Sequence, residues 1–151
     1  MSILPTKILL ATDGSEEATL ATRTAADIAT KTGSELHVVY AAHIPVGVDP
    51  SYDVLRVSEE TQESVRKRAQ QFLDEQLKQL EAAGGSVTQS HARLGRPDEE
   101  IVTLADELDA GLIVIGSRGL GGIRRALMGS VSDSVVRHAH CPVLVVRKDN
   151  R

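Results

Sequence analysis

The chain has few aromatic residues and no tryptophan. Its 151 residues include only Tyr40, Tyr52 and Phe72 as aromatics, too few for the stacking platforms that bind single-stranded nucleic acid. The net charge is −4, so the excess of basic residues that is typical of nucleic-acid-binding proteins is also missing. We therefore expect no nucleic acid among the partners.

Cysteine and long apolar runs are scarce as well. A single cysteine, Cys141, excludes an internal disulfide and favours a reducing compartment. The apolar run near the N-terminus is too short for a signal peptide, and no segment approaches the ~20 apolar residues that span a bilayer. We expect a cytoplasmic protein with no membrane partner, folded as one domain over residues 1–151.

Short apolar runs alternate with amphipathic patterns along the chain. Ser15 is a good helix N-cap, Leu20, Ala21, Ala25 and Ile28 mark the buried face of the helix that follows, and Gly33 ends it. The region 43–57 has no clear period and reads as a long loop. The pattern predicts strands at 7–12, 36–41, 87–94, 112–115 and 142–146, and helices that begin at Ser15, Ser58, Pro97 and Ser130 and end near Gly33, Gly84, Gly111 and His140.

Five strands alternating with four helices predict an α/β fold, a doubly wound, mainly parallel sheet with helices on both faces. Ligands of such sheets bind beyond the carboxyl ends of the strands, where the strand order reverses. With a strand order of 3-2-1-4-5, that point lies between the first and fourth strands. Two polar loops, residues 12–14 and 116–130, would then meet there and form a nucleotide site.

The second of these loops carries the most specific pattern in the chain. Gly116 and Gly119 follow a buried strand, and after nine further residues Gly129 and Ser130 open a helix. Glycines let backbone N–H groups approach an anion closely, and a helix N-terminus adds partial positive charge, so this arrangement is typical of phosphate binding. The alternative interpretation is a simple connection between strand and helix.

Three segments resemble signatures of the universal stress protein family, specifically its ATP-binding branch. They are KILLATDGS at 7–15, DAGLIVIGSRG at 109–119 and HCPVLVV at 140–146. The resemblance covers essentially the whole chain. It implies the strand order 3-2-1-4-5, a homodimer formed through the last strand (Val143–Val146), adenine held near the first and second strands, and phosphates along the glycine loop.

The resemblance also implies a set of nucleotide-binding residues. Ala11, Thr12 and Asp13 would contact the nucleoside, and Ala41 would face the adenine. The implied cofactor is ATP with Mg²⁺. The protein alone offers no metal site, but Asp13 could contact the magnesium ion that ATP brings. The residues implied to lie along the phosphates or beside them are Ile115, Gly116, Arg118, Gly119, Gly129, Ser130, Val131 and Ser132.

Several alternatives stay open at this point. The leading hypothesis is an ATP-binding regulator of the stress response; the others are a slow ATPase or autophosphorylating enzyme, and a nucleotide-free or cyclic-AMP-binding dimeric adaptor. Residues 116–130 contain no lysine to meet a γ-phosphate, which argues against efficient turnover. Asp13 could be only a turn residue. Arg124 and Arg125 could neutralise phosphate or be solvated charges. For His138 and His140 we favour an interaction with the dipole at a helix end over metal binding, and for Cys141 we favour packing in the core.

Overall fold

The computed structural model describes residues 6–43, 59–117 and 129–148. Strands and helices alternate along these residues. Their bounds are β1 (Lys7–Ala11), α1 (Glu16–Thr32), β2 (Glu35–Ala42), α2 (Glu59–Ala82), β3 (Gln89–Leu94), α3 (Pro97–Leu108), β4 (Leu112–Gly116), α4 (Ser130–His138) and β5 (Val143–Val146).

All five strands form one parallel sheet in the order β3-β2-β1-β4-β5. The predicted fold class and strand order are therefore confirmed. The strand order reverses between β1 and β4, which are hydrogen-bonded neighbours in the centre of the sheet. The carboxyl ends of these two strands are the place where a doubly wound sheet binds its ligand.

Two separate apolar clusters cover the two faces of the sheet. Alternate residues of one strand serve different clusters: Leu10 packs with α1 and α2, whereas Leu9 packs with α3 and α4. This alternation follows from the pleat of a strand. Because both faces are covered, the central strands are apolar throughout, which is why they read as continuous hydrophobic runs.

Helix α1 begins and ends as the sequence predicts but buries a slightly different face. Ser15 accepts a hydrogen bond from the Ala18 N–H at 3.1 Å, and Gly33 ends the helix in the left-handed conformation. Ile28 is half-buried and packs against the same apolar cluster as Ala21 and Ala25, whereas Leu20 belongs to neither cluster, so the predicted face is wrong at Leu20. The helix lies so close to the sheet that small side chains occupy the contact: Ala18, Ala21, Ala25 and Ala29.

Other boundaries differ by a few residues from the predicted ones. Helix α3 ends at Leu108, and its C-cap is Asp109, a left-handed residue with φ 54°. Gly111 instead donates its N–H to the Lys7 carbonyl beside β1. Helix α4 ends at His138 because Ala139 is already extended. The predicted loop at 43–57 lies outside the described residues apart from His43. None of the described helices is long and apolar enough to cross a membrane.

Candidate functional site

The two loops that the sequence singles out begin side by side. Ala11 at the end of β1 is in register with Ile115 of β4 on one side and with Val39 of β2 on the other. Thr12 and Asp13 therefore leave the sheet next to Gly116. The structure brings these residues together at the point where the strand order reverses.

The loop after β1 is a tight turn that presents a carboxylate. Asp13 Oδ1 accepts the Ser15 N–H at 2.9 Å, which closes an Asx turn. Gly14 at its centre has φ +81°, a conformation that strains any residue with a Cβ atom. The other carboxylate oxygen of Asp13 has no hydrogen-bond partner among the described residues, so it is available to a hydroxyl group or a hydrated cation.

Thr12 is buried beneath this turn. Its N–H donates to the Val39 carbonyl at 3.0 Å and so extends the pairing of β1 with β2. Its Oγ1 atom is buried and has no hydrogen-bond partner within the part of the chain that the structure describes. Buried hydroxyl groups are nearly always paired. Thr12 as a whole is only 6% exposed, so it offers a ligand little surface.

Gly116 has a packing role that is independent of any ligand. A Cβ atom built on it would lie 2.8 Å from the carbonyl carbon of Glu17 and 3.0 Å from the Ala18 nitrogen. The first turn of α1 therefore rests directly on the end of β4, and only glycine fits between them. A substitution at Gly116 would disturb the fold as well as any site, which makes this residue a poor probe of binding.

The two ends of the glycine-rich segment are joined by the carbonyl oxygen of Ser117. It accepts the Gly129 N–H at 2.6 Å and lies 2.8 Å from the hydroxyl of Ser132. That hydroxyl also lies 3.0 Å from the Gly129 carbonyl, and the Ser117 N–H donates to Val146 at the end of β5. The buried hydroxyl of Ser132 thus closes the loop ends and places the start of α4 beside β4.

The N-terminus of α4 points its first N–H groups at the same edge of the sheet. The helix begins at Ser130, which is exposed, and the capping residue Gly129 offers no side chain to accept a hydrogen bond. The first N–H groups of a helix have no partner within the helix and attract anions. Val131 is half-buried against the α3/α4 cluster, and Asp133 in the same turn is paired with Arg137 at 3.1 Å.

The remaining predicted residues fall into two groups. Ala41 lies on β2, two residues beyond the level of Ala11, and is half-buried. Because β2 is the neighbour of β1, Ala41 lies beside the reversal point and not within it. Arg118 and Gly119 lie outside the described residues. All the other members of the predicted set border the reversal point: Ala11, Thr12, Asp13, Ile115, Gly116, Gly129, Ser130, Val131 and Ser132.

The histidines and the cysteine near the C-terminus have separate contacts. His138 Nδ1 lies 2.8 Å from the Ser134 carbonyl, whereas His140 lies 3.0 Å from the Asp106 carboxylate. Burial raises the pKa of the Cys141 thiol, and the charge of Asp106 raises it further. In the described ranges no group of three or more histidine, cysteine, aspartate or glutamate residues could hold a metal ion.

Sequence reasoning missed two contributors to this region. Ser117 acts through its main-chain carbonyl. Because every residue has such a carbonyl, the amino-acid type does not indicate this role. Phe72 of α2 packs its ring against Gly14, and its place in an apolar helical stripe gives no hint of that contact. A contact between a glycine and a side chain of a distant helix can be identified only when the positions of the helices are known.

The comparison with known proteins agrees with this geometry. The sequence model of the universal stress protein family matches residues 5–147 of this chain. The chain belongs to the universal stress protein family. A member of the family from Methanocaldococcus jannaschii is 33% identical over 151 residues, an alignment that covers 96% of this chain and 84% of the relative.

Two solved members of the family carry an adenine nucleotide. A universal stress protein in complex with cAMP is similar with a TM-score of 0.70 and 28% identity, covering 97% of this chain and 99% of that one. The universal stress protein from Archaeoglobus fulgidus in complex with dAMP is similar with a TM-score of 0.63 and 28% identity, covering 93% of this chain and 97% of that one.

Proposed function

We propose that this chain binds ATP with Mg²⁺ at the carboxyl ends of β1 and β4 and acts as a nucleotide-dependent regulator of the stress response in the cytoplasm. The observation that carries the proposal is the convergence of an uncapped helix N-terminus with a turn that presents a carboxylate. Both lie at the edge of the sheet where β1 and β4 end. The cAMP and dAMP complexes of related proteins support an adenine nucleotide.

Each part of the site suits one part of the ligand. The first N–H groups of α4, at Ser130 and Val131, favour an anion and would hold phosphate. The free oxygen of Asp13 would accept from a ribose hydroxyl or hold a water of the magnesium ion. The small side chain of Ala41, near the end of β2, would leave room for a flat base. We favour ATP because the long glycine-rich segment suits several phosphates; ADP, AMP, cAMP and dAMP are the competing ligands.

The proposed role is binding rather than rapid turnover. Residues 116–130 contain no lysine, and Asp13 is the acidic residue that we propose to meet the ligand, because Glu16 and Asp133 are paired with Lys148 and Arg137. Catalysis of phosphoryl transfer requires more positioned charge than this. We propose that nucleotide occupancy is read by partners, and that the protein acts as a homodimer formed through β5.

Isothermal titration calorimetry with ATP, ADP, AMP, dAMP and cAMP, with and without Mg²⁺, tests the proposal. Gly129→Val is the informative variant, because Gly129 has φ −64° and ψ 161°, which valine adopts without strain. We expect it to fold and to lose at least about tenfold in ATP affinity, since its side chain would occupy space that phosphate needs.

A matched control exists at the corresponding position of α3. Arg96 is also an extended helix N-cap without a side-chain capping bond, and it lies away from the reversal point. Arg96→Val should leave ATP affinity unchanged. Unchanged affinity in Gly129→Val, or an equal loss in both variants, would contradict the proposed site.

A further inference from the structure

Phe72 forms an unusual contact for a residue on a long surface helix. A Cβ atom built on Gly14 would lie 2.9 Å from Cζ and 3.0 Å from Cε2 of Phe72, so the ring covers the centre of the turn after β1. The same ring packs on Tyr40, with the ring centroids 4.5 Å apart and the planes tilted by 45°. One aromatic side chain therefore supports both the β1–α1 turn and the end of β2.

These two supported segments are the ones that carry Asp13 and Ala41. Asp13 directly precedes Gly14, and Ala41 directly follows Tyr40. We propose that Phe72 is a positioning residue for the nucleotide site: it fixes the turn that presents the Asp13 carboxylate and the strand end that borders the base. This inference rests on the proposed function, because it assigns a role within the same site.

The neighbouring residues of α2 show that Phe72 is not needed simply to fill the core. Leu73 and Leu80 are buried members of the α1/α2 cluster, and Leu77 packs against that cluster. Phe72 is half-buried and lies outside the cluster. Its contacts are the glycine of a turn and an aromatic ring, and an offset pair of aromatic rings has a preferred geometry.

The hydrogen bond that orients the carboxylate within the turn is local. Gly14 is in a left-handed conformation, and the hydrogen bond that the described residues give Asp13 Oδ1 is the one of 2.9 Å from the Ser15 N–H. Glycine has the largest conformational freedom of any residue. Without the ring, Gly14 can reach other conformations, and the carboxylate then loses the fixed direction that a ligand requires.

The experiment compares Phe72→Leu with Leu77→Ala, a variant that removes packing on the same helix without touching the turn. Two quantities are measured: ATP affinity with Mg²⁺ by calorimetry, and the amide hydrogen-exchange rate of Ser15 by NMR. We expect Phe72→Leu to weaken ATP binding by roughly 2- to 30-fold, the range for residues that act through another residue, and to speed exchange at Ser15. Leu77→Ala should lower the melting temperature but change neither quantity.

Phe72→Met serves in the same comparison if Phe72→Leu does not fold. An unchanged Ser15 exchange rate in the ring-removing variant, or the same increase in Leu77→Ala, would overturn the inference. If wild-type protein binds no adenine nucleotide, the proposed function fails, whereas the Ser15 exchange rates still decide whether Phe72 fixes the turn.

Discussion

The two edges of the sheet differ in chemistry although both are single strands with one paired side. β3 has the sequence QSHARL and carries a histidine and an arginine. Arg93 forms ion pairs with Glu100 and Glu107 of α3. β5 has the sequence VLVV, and its Leu144 is 36% exposed.

This difference indicates what each edge is built to do. Unpaired strand edges promote association unless charges or bulky polar groups cover them. β3 has such a cover within its own chain, because Arg93 is tied to two carboxylates. The described residues of β5 provide no comparable cover. We therefore infer that β3 is an edge protected from association and that β5 is the edge that pairs with a second copy of the chain.

The largest expected effect is the loss of the proposed dimer in Leu144→Lys. Antiparallel pairing about a two-fold axis would bring both new charges close together, and like charges at an interface cost several kcal/mol. We expect a folded monomer with a dimer dissociation constant raised at least about 100-fold. Sedimentation velocity across a concentration series measures this.

The matched control for this change lies on the other edge. Gln89→Lys at the start of β3 should leave the oligomeric state of the wild type unchanged. Val145 is a less suitable target than Leu144, because it packs against the α3/α4 cluster and a lysine there would also damage the core. A Leu144→Lys protein that remains dimeric would place the interface elsewhere.

A smaller effect is expected from making β3 resemble β5. The double variant Gln89→Val, Arg93→Val removes two partly exposed ion pairs, each worth about 0–1 kcal/mol, so the protein should fold. We expect weak, concentration-dependent association that light scattering detects as a mass above that of the wild type. Arg93→Lys keeps a charge on β3 and should not associate more strongly than the wild type. If the double variant behaves like the wild type, the charges of β3 do not protect this edge.

The smallest expected effect concerns a histidine pair on the β3 side of the sheet. His37 is buried, with one ring nitrogen 3.3 Å from His91 and the other 3.3 Å from the Glu35 carboxylate. Burial lowers the pKa of His91; the charges of His37 and Arg93 lower it further, and Glu107 partly opposes them. Protonation of His91 is therefore less favourable in the folded chain than in the unfolded chain.

The sign of the pH dependence follows from this shift. Below the ordinary histidine pKa of about 6.5, the unfolded chain binds more protons than the folded chain, so the free energy of unfolding decreases as the pH falls. We expect the melting temperature to decrease by a few degrees between about pH 6.5 and 5. His91→Gln should show a smaller decrease, and His138→Gln, on the exposed surface of α4, should behave like the wild type. Identical pH profiles of all three proteins would contradict this prediction.

Most of the fold could be predicted because parallel strands covered on both faces are continuous apolar runs. The order of the strands came from the resemblance to the family, and the sheet confirms it. The buried face of α1 was wrong at Leu20, which hydrophobicity favours, whereas the helix buries the alanines Ala18, Ala21, Ala25 and Ala29 against the sheet. The end of α3 was wrong because Asp109 takes the left-handed conformation, which aspartate adopts more readily than most residues.

The position of the candidate site could also be predicted, since it follows from where strands end. Asp13 lies two residues beyond the end of β1 and Gly116 is the last residue of β4, and parallel strands place their carboxyl ends at one edge. The supporting contacts could not be predicted. The Ser117 carbonyl acts through the main chain, and the contact of Phe72 with Gly14 depends on how two helices pack, which no local pattern encodes.

The hydrogen bonds at Ser117 have a consequence for how this protein can change in evolution. Its carbonyl oxygen brings the residues before and after segment 118–128 to within one hydrogen bond of each other. The entropy of closing a loop rises only with the logarithm of its length, about 0.6 kcal/mol for each doubling. We therefore expect this segment to accept insertions and new sequences while α4 keeps its place, so that ligand preference can diverge without any change to the core.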